Sequence, residues 1–230
     1  MVYEDSSGQF SSKSLDSIDI IYKNLDWGQK AIWFRNSYAD KYFFSKSAIP
    51  IRENQITFSN HYLLLNYANY GVSKNFTIAG GITPFPALLY ISPKAHLKLG
   101  NRVHTSLAGA YVGNGANNFF SGKFNVTYGN AQNNITIGVS NIWSGDVSFS
   151  FFMISAQGRI SKNFSFVTEN SFLPLASFFV VPVRSLGFRY LNTSFSIELG
   201  GMYLGGNVTP DNEYIIFPVI GFNYALNNFL

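Results

Sequence analysis

Residues 185–200 read SLGFRYLNTSFSIELG, two alternating stretches on either side of a three-residue turn. In the first, Leu186, Phe188 and Tyr190 share one face, and Ser185, Gly187 and Arg189 share the other. In the second, Phe195, Ile197 and Leu199 oppose Ser194, Ser196 and Glu198. Successive side chains of a strand point to opposite faces, so both stretches are half-apolar strands. Leu191-Asn192-Thr193 leaves room only for a tight antiparallel turn. The unit is a β-hairpin with one aromatic face and one small, polar face.

The unit repeats. Turn signals fall at 71–75 (GVSKN), 100–102, 129–133 (GNAQN), 161–163 and Asn192. Their spacing of about 30 residues equals two strands of roughly 10–12 residues with their turns, and a series of such hairpins marks a transmembrane β-barrel.

Composition supports the same reading. Charged residues make up 12% of the chain and aromatics 17%, yet mean hydropathy is only +0.07. No run approaches the length of an apolar membrane helix. A barrel reconciles these facts, because its lumen-facing residues are polar while its lipid-facing ones are not, and closure pairs every backbone amide. A soluble barrel or sandwich is the structural rival; it predicts an apolar core and more surface charge. With no cysteine, a disulfide scaffold and a cysteine-anchored lipoprotein are excluded for the chain as given. The first residues, MVYED, have no signal-peptide character, so the expectation is a mature outer-membrane protein whose signal has been removed. Residues 1–28 carry a net charge of −3 and the remainder +7. The basic residues are scattered singly along strands, which argues against nucleic acid as a partner.

The expected domains are a periplasmic N-terminal segment, 1–28, and a barrel, 29–230. The segment is either a tail or a piece tucked into the barrel mouth. Candidate strands are 30–35, 55–70, 75–83, 87–99, 103–112, 119–128, 133–143, 147–160, 164–172, 178–190, 194–204 and 213–226. This predicts an all-β, antiparallel up-and-down barrel of about twelve strands, with ten to fourteen allowed. Residues 36–54 are read as the longest loop, outside the barrel, where Tyr38, Tyr42, Phe43 and Phe44 could make a sugar-binding platform. The tight turns are expected on the periplasmic side. Pro93, Pro182 and Pro218 fall inside strands and should mark ladder breaks. Trp27, Trp33, Tyr70, Tyr128, Trp143, Phe172, Tyr190 and Tyr224 lie near strand ends, where barrels place aromatic girdles. Six N-x-S/T triplets occur, most of them turn asparagines opening alternating strands, and they are not read as glycosylation sites.

The last strand, 222–230 (FNYALNNFL), is similar to the C-terminal assembly signal of outer-membrane barrels, with its aromatic penultimate. With 24–28 (NLDWG), 66–71 (NYANYG) and 167–170 (VTEN), the chain resembles the small outer-membrane barrels of Bacteroidota. That resemblance implies a fold and a location but no activity.

Alternation also assigns the lumen. Lys94, His96 and Lys98 share the polar phase with Arg102, His104 and Ser106 across the turn, and with Lys123 one strand on. Opposed neighbours lie about 5 Å apart, so these residues should form one basic wall. Arg159, Glu169, Arg189 and Glu198 share the polar face of later strands as ion-pair candidates. Such a lumen is either a selectivity element or plugged by its own ion pairs. Lys98 and Arg102, next to the turn, could equally snorkel at the rim.

Catalysis is not expected. A lipid-modifying enzyme needs a serine–histidine arrangement facing lipid, and His104 with Ser106 faces the lumen. His61, beside Asn60, has no matched serine. His96 and His104 alone supply too few ligands for a metal, and no cofactor is expected. Two functions remain: an accessory subunit of a larger outer-membrane complex, or a narrow channel preferring anions. The brief outer connections favour the first. The expected surroundings are outer-membrane lipid and lipopolysaccharide, with other outer-membrane proteins as candidate partners.

Overall fold

The computed structural model describes residues 2–4, 10–12, 20–24, 30–62, 65–84, 87–176, 179–204 and 215–226. The chain divides into two compact units, Met1–Arg35 and Asn36–Leu230. In the first, β1 (Val2–Glu4) pairs with β2 (Phe10–Ser12), and β3 (Ile20–Asn24) pairs with β4 (Lys30–Phe34), both antiparallel. Trp27, Phe229 and the connection 205–212 lie outside the described residues.

The second unit holds twelve strands. They are β5 (Ile56–His61), β6 (Leu65–Ser73), β7 (Phe76–Pro84), β8 (Ala87–Lys98), β9 (Val103–Gly113) and β10 (Asn118–Gly129). They continue with β11 (Asn134–Ser144), β12 (Val147–Arg159), β13 (Phe164–Ala176), β14 (Phe179–Leu191), β15 (Phe195–Leu204) and β16 (Ile215–Leu226). Each pairs antiparallel with its chain neighbour, and β16 returns to β5, closing an up-and-down barrel. Among the described residues there is no helix.

The strand number matches the expected twelve, but two of its components differ. Lys30–Phe34 pairs with Ile20–Asn24 and is not a barrel strand. The stretch 55–70 is two strands, reversed at Tyr62, whose φ of 55° places it in the left-handed region that turns use. The run Leu63-Leu64-Leu65 fits either alternation phase, which hid the reversal.

Inside and outside are chemically opposite. Among the described residues, buried polar side chains outnumber buried apolar ones by roughly two to one, while Leu97, Leu107, Phe124, Ile137, Leu186 and Phe222 are exposed on the outer face. The hairpin of residues 185–200 shows the rule: Arg189 and Glu198 are fully buried inside, while Leu186, Phe188 and Leu199 point out. Outward aromatics gather towards both strand ends, with Phe164, Tyr190, Phe195 and Phe222 in ring contact at the tight-turn end. Tyr111, Phe120 and Trp143 do the same at the other end. An apolar exterior over a polar interior fits a small outer-membrane barrel. It is the reverse of the soluble alternative.

Pro93 breaks the ladder towards β9, where pairing skips from Ile91↔Tyr111 to Lys94↔Ala108. The Ser92 hydroxyl donates to the freed Gly109 carbonyl at 2.7 Å. The β13–β14 ladder shifts register between Pro174 and Ala176.

Candidate functional site

The lumen is occupied by the chain itself. Of residues 36–54, read from sequence as an external loop, 36–51 run inside the barrel: Tyr38, Tyr42 and Phe43 are fully buried. This corrects the proposed sugar platform, of which only Phe44 keeps appreciable exposure. The segment has no strand partner of its own beyond a bridge from Lys41 to Lys46. Its backbone polar groups are shared between local turns, with Tyr42 N–H donating to the Ser45 carbonyl at 2.9 Å and Ser47 N–H to the Asp40 carbonyl at 2.8 Å, and inward side chains of the wall.

Arg189 is the main anchor. Its guanidinium donates to the carbonyls of Tyr38 (3.2 Å), Lys41 (3.3 Å) and Tyr42 (2.7 Å). The same group pairs with Glu198 at 2.9 Å and donates to Gln157 at 3.0 Å. Arg189 and Glu198 face each other directly across β14 and β15, so the backbone register makes the pair. Lys41 adds a second cation 3.5 Å from Glu198 and donates to Asn223. His61 Nδ1 stands 3.8 Å from the free Glu198 oxygen.

The rest of the segment is held around the circumference. Glu169 accepts from the Phe44 and Ser45 amides at 2.9 and 3.0 Å. The Tyr42 hydroxyl meets Asn134 and Thr136 at 2.7 and 2.6 Å. Thr127 accepts from the Ala48 amide at 2.7 Å, Lys94 donates to the Ser47 carbonyl at 2.5 Å, and Asn125 donates to the Lys46 carbonyl at 2.9 Å. Irregular backbone needs partners for its polar groups wherever water is excluded, and here the wall supplies many of them. The partners Thr127, Asn134, Ser194 and Asn223 all lie towards the tight-turn end of their strands.

Away from that end lies a cavity of ≈ 370 Å³ between the segment and the wall of β6 to β10, reaching Thr83 and Val112 at the far end of the barrel. Lys46, Lys94, Lys123 and His96 line it, together with Asp40. Lys46 pairs with Asp40 at 3.6 Å, whereas Lys94 and Lys123 are in no ion pair among the described residues.

The structure thus divides the basic residues singled out by alternation. Lys94 and His96 are buried beside the inserted segment, and Lys123 reaches the cavity with Nζ 6.0 Å from the Phe151 ring centre. Lys98 and Arg102 are exposed at the tight-turn rim, and His104 is half-buried opposite Lys98. The ion-pair candidates also separate. Arg189 meets Glu198, but Glu169 caps backbone amides. Arg159 donates to Gln132 at 2.6 Å and to the Ser161 and Lys162 carbonyls, fastening the 160–163 turn.

Neither a family model nor a curated protein matches this chain. The chemistry of the site rests on its own geometry. His96 faces Ser106 across the strand pair, but its ring nitrogens lie 3.0 Å from Thr77 Oγ1 and 3.0 Å from the Ala48 carbonyl. Both nitrogens are taken, so the two residues are not arranged as base and nucleophile. Among the described residues, no three metal-ligating side chains converge. What the arrangement does is hold the segment in place and leave a cavity with two lysines that, among the described residues, are in no ion pair.

Sequence reasoning missed the inserted segment and, with it, the roles of Lys41, Tyr42, Asn134 and Gln157. One signal was available. Large hydrogen-bonding residues crowd one half of the lumen wall, while Ala79, Ala108 and Ala110 occupy the other. A wall with that many donors and acceptors must face something polar.

Proposed function

We propose that this protein is a non-catalytic, non-conducting barrel of the bacterial outer membrane. In this reading it is an accessory subunit of a larger assembly there, of the Bacteroidota type that its sequence resembles. The observation that carries the reading is the inserted segment. It fills the tight-turn half of the lumen with protein and is fixed by the buried Arg189–Glu198–Lys41 cluster. A solute entering from the opposite end meets Phe44 and Lys46, not a pore. Arg184 supports the accessory role. It points outward from the middle of β14, opposite Asn170 and Tyr203, where lipid alone is a poor neighbour.

Single-channel recording of the purified protein in a planar bilayer, under a salt gradient, tests this. A silent bilayer with the protein demonstrably inserted is the expected result. Steady anion-selective conductance, lost when Lys94, Lys98 and Lys123 are replaced by glutamine, would overturn it in favour of a narrow channel.

A further inference from the structure

The cavity has a layered wall. One inward row runs Thr77, Lys94, Ala108, Lys123 across β7 to β10. The row next towards the far end is small throughout: Ala79 beside Ser92, and, past the Pro93 break, Ala110 beside Ser121. Beyond it stand Tyr90 and Val112. Small side chains above two lysines create the space. Ala108 between Lys94 and Lys123 keeps it open at the level of the charges, which sit two strands, or about 10 Å, apart.

Polarity is graded along the same axis. At the lysine level the cavity also meets Asp40, whose charge is offset by Lys46 at 3.6 Å, so the positive charge left for an anion is that of Lys94 and Lys123. Further out the lining is mostly apolar, with Ala79, Ile82, Tyr90, Ala110 and Val112 among the small polar Ser92, Ser121 and Thr83. A charged floor under apolar walls is the shape of an amphiphile with an anionic head.

The cavity also reaches the lipid-facing side. β5 pairs with β16 only through Gly221–Leu226 on the β16 side; among the described residues, Ile215–Ile220 has no strand beside it there. Tyr62 closes the short β5–β6 hairpin against this edge, its amide donating to the Ile220 carbonyl at 3.2 Å. Over that low wall, Asn66 and Ile82, which face outward, line the cavity. Together with Tyr67 they also line a groove on the outer face. A ligand that belongs to the hydrocarbon therefore has a way in that a water-soluble anion does not need.

We infer that this cavity binds a single-chain anionic amphiphile of the long-chain carboxylate class. The carboxylate lies between Lys94 and Lys123, and the tail runs past Ala110 and Tyr90. The volume of ≈ 370 Å³ is at the low end for ligand sites, which suits one chain and not a two-tailed phospholipid. The site stands on the cavity alone and does not depend on whether the barrel docks on a partner.

The test is calorimetric titration of the full-length protein, in nanodiscs of zwitterionic phospholipid, with dodecanoate. Dodecanol and inorganic phosphate serve as comparison ligands. Saturable binding of one dodecanoate per barrel is expected, with dodecanol about tenfold or more weaker and phosphate silent. K123Q should weaken dodecanoate by about tenfold without changing dodecanol, and A110W, which fills the small row, should abolish both. Heat-modifiable migration confirms that each variant is folded. Lys123 is the variant of choice because Lys94 also fastens the inserted segment. Phosphate binding as tightly as dodecanoate would assign the site to a free anion instead. Absence of saturable binding by the folded protein, or K123Q and A110W binding like the parent, would overturn the inference. A silent bilayer with no ligand bound, or a conducting one with ligand bound, separates this site from the accessory reading.

Discussion

Glu198 sits where three elements meet. Its carboxylate takes Arg189 from the neighbouring strand, Lys41 from the inserted segment and Asn223 from β16 at 3.0 Å. All four residues are buried. A buried charge left without its partner is strongly destabilising, so Glu198→Gln, which strands two cations, should lower stability by about 3–5 kcal/mol. Urea unfolding followed by heat-modifiable migration would measure it. Gly221 is part of the same residue-scale design. A Cβ there would stand 2.7 Å from Glu198 Oε2 and 2.9 Å from His61 Nδ1. Gly221→Ala should therefore destabilise by about 1–3 kcal/mol, through overpacking of the cluster and not through loss of charge. A Gly221→Ala variant as stable as the parent would mean that the cluster shifts freely.

At the scale of elements, the barrel and its inserted segment depend on one another unequally. Strand pairing closes the barrel without help from 36–54, whereas the segment has only a few local turns of its own, such as Tyr42 N–H to the Ser45 carbonyl and Ser47 N–H to the Asp40 carbonyl, and is fixed in place by the wall. Arg189→Gln removes the donors to three of its carbonyls. The expected outcome is a folded barrel with a loosened segment, visible as intermittent conductance in the bilayer where the parent is silent. Continued silence would mean that Tyr42, Glu169 and Lys94 hold the segment by themselves. This dependence also explains what could be read in the sequence. Strands announce themselves by alternation because one face is outward and apolar and the other lines the polar lumen; hence β7 to β15 appear within a few residues of their bounds. Residues 36–54 carry no period because they form no regular element, and their mix of Asp40, Lys41, Lys46 and aromatics looks like a solvent-exposed loop. The Arg189–Glu198 pair was legible as two polar positions on one hairpin. What they grip was not, since the carbonyls of Tyr38, Lys41 and Tyr42 have no signature in side-chain sequence. The cavity was equally hidden: it arises from small residues aligned by register across four strands, and register between distant turns is not written in any one hairpin.

On the scale of the whole molecule, among the described strand residues Arg184 is the one charged side chain on the outward phase of the wall. Arg184 is the sixth of 13 residues in β14, close to mid-wall, and its phase is outward. Its register neighbours Asn170 and Tyr203 share that phase, and Asn170 is within 3.3 Å of Thr168. An arginine facing lipid near the midplane costs about 2–4 kcal/mol. A chain that elsewhere puts leucine, isoleucine and phenylalanine on this surface tolerates that cost most readily where a carboxylate or carbonyl of another protein receives the guanidinium. Arg184→Leu separates the two contributions. If the residue serves a partner, the isolated variant should be more stable than the parent by about 2–4 kcal/mol in lipid, while the complex recovered by gentle extraction from native membranes should lose the associated protein. A stabilised variant whose complex survives would place the interface elsewhere on the wall. A variant no more stable than the parent would mean that the guanidinium already escapes the hydrocarbon, with its long stem carrying it to the phosphate layer.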